Sequence, residues 1–279
     1  MKIQVGVGDR EEFLYFLKAG ADEFYAGLAG IPGHLYGGRN FSSEEELMDA
    51  CFRARAAGKK FFVAANEVRS DIFEKTLEKL ISLVEKGIDG LILRDLALLS
   101  ELKRLGIKTE IILSSLSLCF NRDCLKFYRD LGVTRLALPE QISPAEARPL
   151  IKNGLGVETE VFLTAREYCV VFNGFCYLKQ FNGECICRAG FRKDGSIFAM
   201  PRPSLNDHFS NLLDFYRMGA DILKVGRHPQ KDYAKVVFKE AAAIRNLLES
   251  CRSKEEFMKR AMAVHGKFGE FLKKWKKRK

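Results

Sequence analysis

The chain alternates short β-prone runs with amphipathic helical stretches, and this alternation occurs eight times. Strands are predicted at residues 3–7, 23–28, 60–66, 90–94, 109–114, 135–139, 157–163 and 221–225. Several of these runs, such as FFVAA, are apolar throughout, as in parallel strands that are buried on both faces. The pattern therefore indicates an α/β fold built on a parallel sheet.

Helices are predicted at residues 10–19, 43–57, 72–86, 96–105, 122–131, 144–153, 205–218 and 233–251. Most of them end beside a glycine, which readily takes the left-handed conformation that closes a helix. Eight such units fit a closed (β/α)8 barrel of the TIM type, which typically needs about 250 residues. The first strand is followed by VGVGDREE rather than by the dinucleotide fingerprint of an open sheet. We therefore predict one barrel domain over residues 1–251.

Two connections of the predicted barrel are unusually long, at residues 29–42 after the second strand and 164–204 after the seventh. Connections that follow strands lie at the C-terminal face, which carries the active site in characterised enzymes of this fold. Long loops inside a compact domain are usually functional. We therefore expect the functional site at this face.

The connection at 164–204 is a cysteine-bearing insertion. It contains Cys169, Cys176, Cys185 and Cys187 with the spacing C-x6-C-x8-C-x-C. Structural zinc sites usually pair their cysteines two to four residues apart, which this spacing does not match. Four thiolates on a glycine-containing loop suit a 4Fe-4S cluster instead. The remaining cysteines, Cys51, Cys119, Cys124 and Cys251, are predicted to pack as small apolar side chains.

The first residues of the chain show no apolar signal region, and no run of about 18 apolar residues predicts a membrane span. A cytoplasmic location is therefore expected, where thiols stay reduced. Of the net charge of +10, most lies in residues 252–279, which hold 11 Lys or Arg and three Glu. Apolar residues spaced by three and four predict an amphipathic C-terminal helix with a basic outer face. This helix can pack on the barrel, with its lysines in solvent, or its basic face can contact RNA.

Several stretches carry a resemblance to a known family: GDREEFLYFLKAGADEFYAGL, GGRNFSSEEELMDACFRARAAGKKFFVAAN, the cysteine segment and KVGRHPQKDYAKVVF. Over about residues 5–240 the chain resembles the collagenase-like peptidase U32 family, which includes oxygen-independent hydroxylases. The resemblance implies a (β/α)8 barrel and a 4Fe-4S cluster on the four clustered cysteines. The family often continues from its third cysteine as C-x3-C, whereas Cys185 and Cys187 are two residues closer.

Polar residues at the predicted strand ends supply the rest of a candidate site. The predicted catalytic residues are Asn66, Glu140 and His228, and the predicted substrate-binding residues are Arg39, Asn40 and Arg227. The two arginines can bind carboxylates in a bidentate manner, or they can form structural salt bridges and loop hydrogen bonds. His228 can titrate near neutral pH, or it can cap the helix that follows Pro229.

The resemblance implies oxygen-independent hydroxylation of a quinone precursor or another aromatic substrate, with prephenate as the oxygen donor. Hydroxylation of an RNA base and U32-type proteolysis are the alternatives, although no G-x-S-x-G or H-E-x-x-H motif is present. A further alternative is a non-catalytic subunit in a heterodimer with a related U32-family protein. Two departures favour it: Leu116 stands where many members have Gln, and the run from Lys224 to Arg227 lacks the Glu of the Lys-Ile-Glu-Gly-Arg that many members have.

Overall fold

A computed structural model describes residues 1–31, 39–66, 69–163, 191–198, 203–228 and 230–276. The predicted (β/α)8 barrel is confirmed, since eight parallel strands close on themselves. They are β1 (Lys2–Gly6), β2 (Glu23–Ala26), β3 (Lys60–Ala65), β4 (Gly90–Leu93), β5 (Glu110–Leu113), β6 (Arg135–Ala137), β7 (Glu158–Phe162) and β10 (Ile222–Val225). The sheet closes where β1 pairs with β10, with Lys2 opposite Ile222 and Val5 opposite Val225.

The helices that surround the barrel are α1 (Arg10–Lys18), α2 (Glu44–Ala56), α3 (Phe73–Glu85), α4 (Leu96–Arg104), α5 (Arg122–Asp130), α6 (Pro144–Ile151), α7 (Leu205–Met218) and α8 (Lys231–Ser250), followed by α9 (Lys254–Lys276). Short 3-10 turns occur at Ser70–Ile72 and Ser115–Ser117. All eight predicted helices are present within about two residues of their expected ends. Gly219 ends α7 in the left-handed region, at φ 103°, as the glycine pattern predicted.

The apolar core has two parts because successive residues of a strand point to opposite faces of the sheet. Along β3, Phe61 faces the helices, where Phe13 of α1 packs edge-on against it with ring centroids 5.8 Å apart. Phe62 and Ala64 face the barrel interior instead, together with Ile92 and Ile112. Burial of both faces explains why these strands are apolar throughout.

The C-terminal helix α9 packs on α7 and α8. Phe257 and Ala261 on its apolar face are fully buried. His265 Nδ1 lies 2.6 Å from Oε1 of Glu240, a buried carboxylate of α8. The predicted packing of this helix on the barrel is therefore confirmed, while RNA contact through its outer face stays a prediction.

A two-stranded antiparallel hairpin, β8 (Phe191–Lys193) and β9 (Ser196–Phe198), forms a separate sheet inside the connection that was predicted as loop. Asp194 and Gly195 form its turn with φ values of 50° and 78°. Two successive residues with positive φ are what a type I′ hairpin turn requires, and Asp-Gly is a preferred pair for it. This pair was the available sequence signal, and the sequence analysis did not use it.

Two of the four scattered cysteines, Cys51 and Cys119, are fully buried, as predicted. Burial raises the pKa of the Cys51 thiol to about 11. Cys124 and Cys251 are half-buried. Within the described part of the chain, no helix has both the length and the apolar character needed to span a membrane.

Candidate functional site at the barrel mouth

Five residues at the C-terminal face form a hydrogen-bonded group that we call the rim cluster: Glu12, Arg39, Asn40, Arg227 and His228. Arg39 Nη2 donates to Glu12 Oε2 at 2.7 Å, and its Nη1 donates to the backbone oxygen of His228. Arg227 Nη1 donates to Asn40 Oδ1 at 2.6 Å and to the backbone oxygen of Arg39 at 3.0 Å. The cluster therefore links the long connection after β2 to the connection after β10.

Glycines at the strand ends make room for the rim cluster. A Cβ on Gly6, the last residue of β1, would lie 2.3 Å from Arg227 Cγ. A Cβ on Gly27, directly after β2, would lie 2.2 Å from Asn40 Oδ1. Since any side chain here would collide with these residues, glycine lets Arg227 and Asn40 approach the ends of the strands.

Glu12 is the member of the rim cluster that the sequence analysis missed. Its side chain is 2% exposed, and Oε2 accepts from the backbone N–H of Gly8 at 2.7 Å as well as from Arg39. Its Oε1 is buried and has no hydrogen-bond partner within the described residues. The sequence signal is the start of α1, where Asp9 caps the helix and Glu12 occupies the third helical position, from which a side chain can reach back.

His228 occupies the start of α8, one of the two positions considered for it. Its Nδ1 accepts from the backbone N–H of Gln230 at 3.0 Å. Its ring stacks on Tyr233, with centroids 4.0 Å apart and an interplanar angle of 24°. His228 therefore bonds the N-cap residue of α8 and not a helical N–H, and a catalytic role for it stays a prediction.

The other two predicted catalytic residues follow different strands. Asn66 comes directly after β3, and its Oδ1 is buried without a hydrogen-bond partner in the described chain. Glu140 lies beyond β6 and lines an open groove with Phe162, His208 and Asn211. Burial lowers the pKa of His208 to about 4, so this imidazole is neutral at pH 7. The groove lies between the ends of β6 and β7 and helix α7.

Below the mouth, the barrel interior contains charged residues that we call the core ion cluster: Glu23, Arg135, Glu160 and Lys224. Arg135 Nη1 lies 2.5 Å from Glu23 Oε2 and 3.2 Å from Glu160 Oε1. Lys224 Nζ lies 2.6 Å from Glu160 Oε2. All four side chains are at most 5% exposed. Sequence reasoning missed the cluster, although charges at inward positions of apolar strands were a signal for it.

The pKa values of the two cationic residues of this cluster, Lys224 and Arg135, shift in opposite directions. Burial lowers the pKa of Lys224, against the opposing effect of the Glu160 carboxylate. Burial also acts to lower the pKa of Arg135, but its hydrogen bond to Glu23 and the charge of Glu160 raise it above its ordinary value. In both cases the neighbouring carboxylates favour the charged form of the cation.

Tyr25 lies between the two clusters. Lys224 Nζ is 4.7 Å from the centroid of its ring, and its hydroxyl accepts from the backbone N–H of Arg227 at 3.2 Å. Burial raises the pKa of Tyr25 to about 12, although the Arg227 charge acts in the opposite direction. The phenol therefore stays protonated at neutral pH.

The four cysteines predicted as metal ligands, Cys169, Cys176, Cys185 and Cys187, lie outside the described residues. The chain on either side of them is described. Leu163 follows β7 and donates its backbone N–H to Lys224 O at 3.0 Å, and Pro203 lines the groove near Glu140. Within the described ranges, no group of three or more His, Cys, Asp or Glu is arranged to hold a metal ion.

Comparison with solved structures supports the fold. The U32 peptidase Mk0906 aligns with a TM-score of 0.50 at 12% identity, covering 82% of this chain and 94% of that one. A dihydrodipicolinate synthase aligns with a TM-score of 0.54 at 11% identity, covering 98% and 83%. At these identities the likeness concerns the barrel alone.

Comparison with curated proteins finds relatives that include RNA-hydroxylation proteins and a collagenase. The tRNA hydroxylation protein P of Escherichia coli (strain K12) is 30% identical over 173 residues, 61% of this chain and 37% of that protein. A collagenase of Porphyromonas gingivalis is 25% identical over 212 residues, 68% and 50% of the two chains. The 23S rRNA 5-hydroxycytidine C2501 synthase of Escherichia coli is 25% identical over 241 residues, 77% and 35%.

The chain thus spans half or less of the length of these curated relatives. A family model, however, matches nearly all of it. The model of peptidase family U32 aligns with residues 8–274, which include every barrel strand except β1 and all of α9 but its last two residues. This chain belongs to peptidase family U32.

Proposed function

We propose that the chain takes part in the oxygen-independent hydroxylation of an RNA base, with a 4Fe-4S cluster held by Cys169, Cys176, Cys185 and Cys187. The observation that carries the proposal is where the cysteine segment joins the barrel. It departs after β7 and returns at α7, at the same face as the rim cluster and the groove beside Glu140. Active sites of this fold are assembled at that face.

The donor set fits the proposed cluster. Four thiols within 19 residues can supply the four thiolate ligands that a 4Fe-4S cluster needs, and cluster ligands require no single spacing. When bound, such a cluster supplies electron transfer. Cys187, which is closer to Cys185 than in the family pattern, is proposed as the fourth ligand.

The relatives favour RNA over the quinone precursor that the sequence analysis placed first. Two of the relatives above are named for hydroxylation of tRNA or for synthesis of hydroxycytidine in rRNA. The basic sequence of residues 252–279, with 11 Lys or Arg against three Glu, supports the same order because RNA is a polyanion. We therefore place the RNA-base alternative first.

The hydroxylation needs a source of oxygen other than O2, and we propose a hydroxyl-bearing carboxylate such as prephenate. A C–H bond of the base and the C–O bond of the donor break, a C–OH bond forms on the base, and the hydrogen passes to the donor. The base loses two electrons and the donor gains two, so atoms and electrons balance.

The described residues suggest which groups position the two reactants. Arg39 is committed to Glu12 and His228, so its role is to hold the connection that carries Asn40. Arg227 and Asn40 are the proposed contacts for the carboxylate-bearing donor. The buried Oδ1 of Asn66, which has no partner within the described residues, is the proposed acceptor for an N–H of the base.

The first experiment is anaerobic purification followed by iron, sulfide and absorbance measurements. About four irons per chain and a broad brown absorbance are expected, and both should be lost in the Cys185→Ala, Cys187→Ala double variant. The matched control is Cys124→Ala with Cys251→Ala, which removes two half-buried cysteines outside the segment and should keep the iron. Iron-free protein, or iron retained in the first variant, would contradict the cluster assignment.

The second experiment tests the reaction. RNA from cells that express the chain, or the Cys185→Ala, Cys187→Ala variant, is digested to nucleosides and analysed by mass spectrometry. A nucleoside heavier by one oxygen atom should appear only with the unaltered chain. If the two RNA samples are identical while the purified chain does carry a cluster, RNA is the wrong substrate and the quinone-precursor alternative should be tested.

A further inference from the structure

The hairpin of β8 and β9 exposes apolar and cationic side chains on both of its faces. Ile197 is 71% exposed and Phe198 is 54% exposed, and Arg192 and Lys193 are exposed as well. Arg192 pairs with Ile197, and Lys193 pairs with Ser196, two residues before Phe198. Paired residues share a face and alternate residues return to it, so Arg192 shares one face with Ile197 and Lys193 shares the other with Phe198. Neither face serves as a core-facing surface.

The two cations of the hairpin are Arg192 and Lys193. Within the described residues, neither Arg192 nor Lys193 forms a salt bridge or a side-chain hydrogen bond. The sequence around them is basic, because residues 188–202 contain Arg188, Arg192, Lys193 and Arg202 with Asp194 as the one acidic residue. The hairpin thus offers unpaired positive charge for an anionic partner.

The Asp194-Gly195 turn fixes the register of the hairpin without help from a core. An isolated two-stranded hairpin is nevertheless marginally stable in water, and solvated Ile197 and Phe198 give it no burial of its own. A partner that covers these side chains would stabilise the hairpin and bury its apolar surface. The turn therefore fixes how the two strands pair, and the exposed apolar side chains are available for contact with a partner.

We propose that this hairpin is an arm that binds single-stranded RNA, with a base stacked on Phe198 and phosphates paired with Arg192 and Lys193. Surfaces for single-stranded nucleic acid combine an aromatic platform with cations that track the backbone, and both occur here within one short element. Unpaired cations beside the apolar side chains favour a polyanion over a protein partner. The choice of RNA rests on the proposed function.

The test is fluorescence anisotropy with the full chain and a labelled, short single-stranded RNA at two or more salt concentrations. Phe198→Ala should weaken binding about fivefold to 150-fold, the range for loss of one base–aromatic stack. Arg192→Ala with Lys193→Ala should weaken binding and reduce the slope of log affinity against log salt by about 2. The matched controls are Phe127→Ala, an aromatic 51% exposed on α5, and Lys18→Ala with Lys75→Ala on α1 and α3.

Equal weakening by the control variants, or unaltered RNA binding by both hairpin variants, would overturn the assignment. So would an unaltered chain that binds no RNA, or hairpin variants that lose only their association with a second protein. Failure of the hydroxylation proposal gives a different result: RNA binding stays dependent on the hairpin, while no oxidised nucleoside is produced.

Discussion

The core ion cluster and the rim cluster use the same residue types at two depths of one barrel, and they differ in their partners. In the core ion cluster, Arg135 and Lys224 pair with the buried carboxylates Glu23 and Glu160 inside a closed sheet. In the rim cluster, Arg39 and Arg227 also bind backbone oxygens of each other's connections. Depth thus separates charges that stabilise the barrel from charges that hold two functional connections together.

The largest expected effect comes from breaking the core ion cluster. Arg135→Met should lower the free energy of unfolding by about 3–5 kcal/mol, because Glu23 would lose its buried cation and Glu160 would keep only Lys224. Urea denaturation measures this loss. Arg104→Met, which removes an exposed cation paired with Glu101, is the control and should leave the free energy of unfolding almost unchanged. Equal losses in the two variants would remove the distinction by depth.

His208 sharpens the comparison because burial favours its neutral form, whereas the cations of the core ion cluster are buried beside carboxylates. Its folded pKa of about 4 lies below the unfolded value of 6.5, so the unfolded chain binds more protons between these pH values. Its contribution to stability is present above pH 6.5 and is lost as the pH falls toward 4, by up to about 3 kcal/mol. His208→Asn should reduce the change of melting temperature with pH over this range. An unaltered pH profile would contradict a lowered pKa for His208.

Arg39→Met tests the rim cluster in the same way. It removes the cation that faces the buried Glu12 and the hydrogen bond to the backbone of His228, so a loss of about 1.5–3 kcal/mol is expected. Production of the oxidised nucleoside should fall further than stability does, because Asn40 and Arg227 lose their fixed positions. Denaturation and nucleoside analysis of the same variant check both. A loss as large as that of Arg135→Met would erase the difference between the clusters.

The smallest effect is expected for Tyr25→Phe, which removes the hydroxyl that accepts from Arg227 between the two clusters. One hydrogen bond to a buried phenol corresponds to about 1 kcal/mol of unfolding free energy. A double-mutant cycle of Tyr25→Phe with Arg39→Met measures whether the clusters are coupled. Strictly additive losses would show that they respond independently.

The barrel could be predicted from sequence because its signals are local. Most units end their helix beside a glycine, as at Gly219, and strands such as β3 are largely apolar because both faces are buried. The clusters depend on contacts across the chain instead. Arg135 and Glu23 are 112 residues apart, and Arg39 meets His228 across 189 residues. Periodicity carries no information about such pairs, so Arg39, Asn40 and Arg227 were predicted as site residues while their partner Glu12 was missed.

The barrel pairs β7 with β10 although a long connection separates these two strands in the sequence. The roughly 40 residues between Leu163 and Ser204 lie inside the loop that must close before β10 pairs with β7. The entropy of loop closure grows only with the logarithm of length, by about 0.6 kcal/mol for each doubling. Lengthening an ordinary connection of about five residues to this size therefore costs only about 2 kcal/mol. A closed barrel can thus gain or lose such a segment during evolution while its other strand pairings are retained.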